Sequence, residues 1–218
     1  MASDDTSLQR TRVWIIKALG NALHVGYQTL PANDPNTYGN KIYVWEGTAI
    51  PWSDPQRNLL AEHEVDGAGE LGDCVIDIDL GGVAYIVGYA VADSPGAICA
   101  SADVEATLES LAEPAPWIGN EEVKEGQVTV DYRMLRGYQP KKFSNWVGLW
   151  RGEIDPYDDL APLARSEVSE SANEGSVELD LIKTLRPGSY SLVYFAGKER
   201  MTAACMRTFY WGGADDDE

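Results

Sequence analysis

The sequence predicts an all-β protein of two tandem sandwich or barrel domains related by internal duplication. Three observations carry that prediction. Residues 27–52 and 132–157 align without a gap at a constant offset of 105. Tyr27 matches Tyr132, Leu30 matches Leu135, Pro35 matches Pro140, Asn40 matches Asn145, Trp45 matches Trp150 and Trp52 matches Tyr157. The offset returns at Tyr85 and Tyr190 and at Tyr89 and Tyr194. A period this long is one domain per copy, because solenoid units run about 20–50 residues. Finally, short runs of period-two alternation recur between Gly, Pro, Asn and Asp clusters, and no segment requires a long helix.

In chain order, residues 1–9 are expected as a loose arm. Val13–Leu19 is a strand, rich in β-branched and aromatic residues. Gly20-Asn21 turns the chain into a second strand from Leu23. Leu30 to Tyr38 is a loop dense in Pro, Asn and Asp. Asn40 to Glu46 is the clearest strand of copy one, Ile42 and Val44 alternating with Lys41, Tyr43 and Trp45. Val75–Leu80 alternates again, Gly81-Gly82 turns the chain into a strand over Val83–Val91, and the last strand of the copy is Ala97–Val104. Residues 106–120 read as a linker, with a short helical turn over Ala106–Ala112 broken by Pro114, Pro116 and Gly119. Copy two repeats the plan at Gln127–Leu135, Asn145–Trp150, Val177–Leu181, Tyr190–Phe195 and Ala203–Phe209. The domains are therefore drawn at 10–105 and 121–211, with an acidic tail over 212–218.

Composition narrows the function. The net charge is −18. Residues 1–112 carry 5 basic and 16 acidic residues and the remainder 12 and 19, so both copies are acidic. A nucleic-acid backbone is repelled by such a chain, which argues against that partner. Cys74, Cys99 and Cys205 are odd in number and lack metal or redox spacing, so buried thiols in a reducing compartment are expected. No secretory signal and no membrane-spanning run is visible. The expected location is cytoplasmic, with release by an unrecognised route as the alternative.

Two strings resemble known families. Leu185-Arg186-Pro187-Gly188-Ser189-Tyr190 resembles the tyrosine corner of fibronectin type III and immunoglobulin-like domains, with Tyr190 as the corner. Copy one keeps Leu80, Gly82 and Tyr85 without the Pro, which implies a weaker corner. Asn145-Trp146-Val147-Gly148-Leu149-Trp150 resembles a strand of SKICH domains and of the sandwiches preceding purple acid phosphatase catalytic domains. Both resemblances imply tandem immunoglobulin-like β-sandwiches, and the SKICH one implies protein contacts. Copy one departs from the second string, with Lys41 and Tyr43 where Trp146 and Gly148 stand.

No cofactor motif and no catalytic signature is present. Asp73, Asp77 and Asp79, or Asp155, Asp158 and Asp159, offer oxygen ligands for calcium, but without EF-hand spacing, and no metal site is assigned. The candidate binding residues are Trp45, Trp52, Trp146, Trp150, Tyr157, Asn40 and Asn145. If Ile42 and Val44 face the core, Trp45 faces away, and an outward aromatic row needs a cover: the other domain, a second subunit or a sugar ring. The leading expectation is a non-enzymatic structural or interaction protein that binds a protein partner or itself. A carbohydrate-binding lectin is the alternative. A hydrolase triad assembled in space around His24 or His63 is the third class.

Overall fold

A computed structural model describes residues 8–81, 84–104 and 115–212. In copy one, β2 (Arg12–Leu19), β3 (Ala22–Gln28) and β6 (Leu71–Asp77) form a three-stranded sheet. β5 (Leu59–Glu64), β4 (Lys41–Glu46), β7 (Tyr85–Ala90) and β8 (Ile98–Asp103) form a four-stranded one in that order. Copy two has the same layers. β9 (Trp117–Lys124), β10 (Gln127–Arg133) and β13 (Glu174–Asp180) face β12 (Ala164–Glu167), β11 (Trp146–Arg151), β14 (Gly188–Phe195) and β15 (Ala203–Trp211). In each copy the first, second and fifth strands make one layer and the other four make the second. This is the two-layer, antiparallel plan of an immunoglobulin-like sandwich.

The duplication extends to register and irregularity. β4 pairs β7 from Lys41↔Ala90, and β11 pairs β14 from Trp146↔Phe195, both shifted by the sequence offset. A bulge follows Tyr89 in one copy and Tyr194 in the other. Both tyrosine corners close. The amide of Gly81 donates to Tyr85 Oη at 2.5 Å, and that of Arg186 donates to Tyr190 Oη at 3.1 Å. In copy two the hydroxyl adds a bond to Arg186 O at 2.5 Å, so the Pro-containing corner is tied twice.

Two boundaries differ from expectation. Residues 8–10 of the loose arm are a strand, β1 (Leu8–Arg10), which pairs antiparallel with β15 of the other copy. The nine-residue β15 otherwise leaves a row of backbone groups unpaired, and β1 supplies their partners. β9 starts at Trp117, within the stretch drawn as linker; Ile118 and Gly119 are buried there, and a strand satisfies their backbone groups. Residues 1–7, the proposed turn over Ala106–Ala112, Gly82-Val83 and residues 213–218 lie outside the described residues. No helix among the described residues is long and apolar enough to cross a membrane.

Candidate functional site

The expected outward aromatic row is a covered one. Lys41 to Trp45 are all buried, so both faces of β4 are packed. The cover over Trp45 is the chain's own: the loop after β4 folds back, and Trp45 Nε1 donates to Pro55 O at 2.7 Å. Trp150 repeats this at the same offset, donating to Leu160 O at 2.8 Å. Trp146 stacks on Phe195 with centroids 3.8 Å apart, and the Arg165 guanidinium lies 4.1 Å above it. An indole that finds a ring, a cation and a backbone carbonyl within the monomer presents no face to a sugar.

Asn40 and Asn145 are fully buried hubs. Asn145 Nδ2 donates to Tyr138 Oη at 3.0 Å, and Tyr194 Oη donates to Asn145 Oδ1 at 2.8 Å. Asn40 Nδ2 donates to Asn33 Oδ1 at 2.8 Å and to Tyr89 Oη at 3.0 Å. Their backbone amides close the preceding loops onto Pro35 O and Pro140 O. Burial holds the phenols of Tyr89, Tyr138 and Tyr194 protonated far above the ordinary tyrosine range.

Trp52 and Tyr157, the last pair of the gapless segment, both lie where the copies meet. Trp52 Nε1 donates to Arg136 O at 2.8 Å, and its ring meets Tyr138 edge-on at 5.0 Å. Reciprocally, Tyr157 accepts from Asn33 Nδ2 at 2.8 Å and stacks on Tyr38 at 5.0 Å. Asn33 and Tyr138 are themselves equivalent positions at the offset of 105. The contact is thus isologous in pattern, each copy offering the other the same loop pair. Tyr138 Oη adds a bond to Gly96 O at 2.6 Å, and Leu30 of copy one packs with Trp146, Trp150 and Phe195 of copy two.

No protein family and no curated protein matches the chain. Among solved structures, the human OSCAR ligand-binding domain aligns over 94% of this chain and 99% of its own at 15% identity and a TM-score of 0.27. A beta-glycosidase from Bacteroides vulgatus aligns over 94% of this chain and 25% of its own at 10% identity and a TM-score of 0.25.

The surface left open lies on a sheet that the aromatic motif does not reach. On the outer face of β2–β3–β6, register brings Trp14, Gly26 and Asp73 into one row and Lys17, His24 and Val75 into another. Trp14 lies flat on Gly26, where a Cβ atom would meet its ring at 2.4 Å. Trp14, Leu19, Leu71 and Val75 are all exposed on this face, Leu71 at 68%. The matching face of copy two is ionic: Leu71 is replaced by Glu174, Val75 by Glu178 and Leu19 by Lys124. There Arg133 pairs with Glu174, Lys124 with Glu122, and Gln127 donates to Glu178.

The strict repeat does not point to this face, because it marks the residues that the copies share. The signal was available in the residues that differ, Leu71 against Glu174 above all. His24 sits on the same face, 2.5 Å from Asp73, and it bonds that carboxylate rather than a hydroxyl or thiol nucleophile. Among the described residues no group of three His, Cys, Asp or Glu gathers as a metal site.

Proposed function

We propose that the protein is a non-enzymatic interaction module of two sandwich units, 10–105 and 121–211, whose binding surface is the outer β2–β3–β6 face of copy one. The observation that carries this reading is the contrast between copies. One fold, duplicated, exposes Trp14 with Leu19, Leu71 and Val75 on one copy, and on the other sets Lys124, Glu174 and Glu178 at the matching places, with Arg133 over Trp117. Interfaces favour an aromatic anchor with apolar neighbours over scattered charge.

The occupant is a protein with an apolar centre and a basic rim. Glu70, Asp73 and Asp77 make the β6 side of the patch acidic, Asp73 standing between Leu71 and Val75, while Arg12 and Lys17 stand on the β2 side; the net charge of −18 opposes apposing two copies of the chain. The resemblance of the Trp146–Trp150 strand to SKICH domains, which mediate protein contacts, points the same way. The lectin reading loses its stacking residues to the interior, and the self-assembly reading becomes an outcome of the test.

That test compares wild type with Val75→Glu and Leu71→Lys, both exposed, in sedimentation and in copurification from cells that express the protein. A partner held by wild type and lost by both variants supports the proposal. A partner held equally by all three, or self-association that survives both substitutions, overturns it.

A further inference from the structure

The second place where the copies diverge is a cleft of about 490 Å³ at the base of copy two, between the ends of β11 and β13. Its volume falls within the range of small-molecule sites. Arg151, Lys183 and Arg186 bring three cations to it, while Leu163, Leu181 and Ile182 supply apolar wall. It collects a quarter of the twelve basic residues of the second half of an otherwise acidic chain. Among the described residues none of the three cations forms an ion pair, although carboxylates outnumber cations 35 to 17.

Copy one shows what the same position looks like without the cleft. At the offset of 105, Arg151 stands where copy one has Glu46, and Arg186 where it has Gly81. The connecting loop is also longer. Ile78 and Leu181 occupy the same place, their amides donating to Asn21 O and Gly126 O. From there copy one reaches Leu80 through Asp79 alone, whereas copy two reaches Leu185 through Ile182, Lys183 and Thr184. The two added residues bring the cleft both a cation and an isoleucine that is 93% exposed. Charge reversal, charge gain and an apolar insertion thus converge on one cavity. An isoleucine this exposed beside unpaired cations contributes nothing to the fold's own packing, and all three features suit one kind of guest.

We propose that this cleft is a binding site for a small organic carboxylate with an apolar body. Its carboxylate meets Arg151 and Arg186, whose planar guanidinium groups match two oxygens, with Lys183 as a further point charge. The apolar body lies against Leu163, Leu181 and Ile182. The site is separate from the copy-one face and does not depend on it.

Octanoate is the probe, titrated into the full chain by calorimetry and by amide NMR at neutral pH. Octanol, which lacks the charge, and acetate, which lacks the body, are the controls. The expected result is saturable octanoate binding with shifts at Leu181–Arg186, and binding at least about tenfold weaker for both controls. The paired change Arg151→Glu and Arg186→Gly restores the residues that copy one tolerates, and should weaken octanoate by more than about tenfold with little change in melting temperature. Lys183→Gln is the milder variant should the pair destabilise the fold, and it should weaken octanoate several-fold. Val75→Glu, on the other face, should leave octanoate binding unchanged. No saturable binding, equal binding of octanol, or full affinity in the folded charge variants overturns the proposal. Loss of binding in Val75→Glu also overturns it, because the guest would then sit on the copy-one face.

Discussion

Asn145 shows how a single buried amide holds a sandwich together. It links Tyr138 from the loop before β11 to Tyr194 on β14, so loop and sheet share one hydrogen-bonded centre. Replacing it with leucine keeps the number of side-chain heavy atoms but adds bulk, and it leaves the Tyr194 hydroxyl without its acceptor in a dry site. An orphaned buried polar group costs about 1–3 kcal/mol, and with the misfit of a branched side chain Asn145→Leu should cost about 2–4 kcal/mol. Urea denaturation measures this, and a loss below about 1 kcal/mol would contradict the assigned network. That Asn40 and Asn145 matter was legible in the repeat, together with the turns they close. Their partners were not, because Tyr89 and Tyr194 lie 49 residues downstream and come near only once β4 pairs with β7 and β11 with β14.

At the scale of elements, alternation in β4 and β11 located the strands and the side of Ile42 and Val44, but not the fate of Trp45. A periodicity of two reports that a strand has two faces; it says nothing of a loop that returns to cover the second one. The same limit explains β5, whose Glu62, His63 and Glu64 give a polar string at a sheet edge, and β1, whose partner β15 belongs to the other copy. Trp52 tests the joint between the copies. Its ring is almost fully buried by copy two, so Trp52→Ala should cost about 3–5 kcal/mol. Hydrogen exchange should quicken in both loop pairs, including the amides near Tyr138 that Trp52 covers. Exchange that changes in copy one alone would show that the copies do not share this joint.

For the whole molecule, burial sets the response to alkali. It pushes Tyr43 up to about 12, Cys74 up to about 11 and Cys99 up to about 12. The unfolded chain gives up these protons nearer pH 8.5 for cysteine and about 10 for tyrosine. Between those values and the folded ones, the unfolded state binds fewer protons, so stability falls as pH rises. Lys41 acts in the same sense. Its hydrogen bonds to Asp93 and Glu62 hold its ammonium charged well above the ordinary lysine range. That contribution is full below about pH 10 and is lost as pH climbs through the folded value. The melting temperature should therefore drop steeply between pH 9 and pH 11, and a flat profile across that window would refute the burial of these groups.

The pairing of β1 with β15 also sets an order in time. Leu8 leaves the ribosome well before its partner Arg207, which belongs to the other copy. Copy one has all its own strands long before β15 exists, and local contacts form sooner than distant ones. Its sandwich is therefore free to close early while the leading strand waits without a neighbour. When β15 arrives, the zipper is drawn between an early and a late segment of the nascent chain, and β1, at the edge of the larger copy-two sheet, is the strand that waits longest for its place.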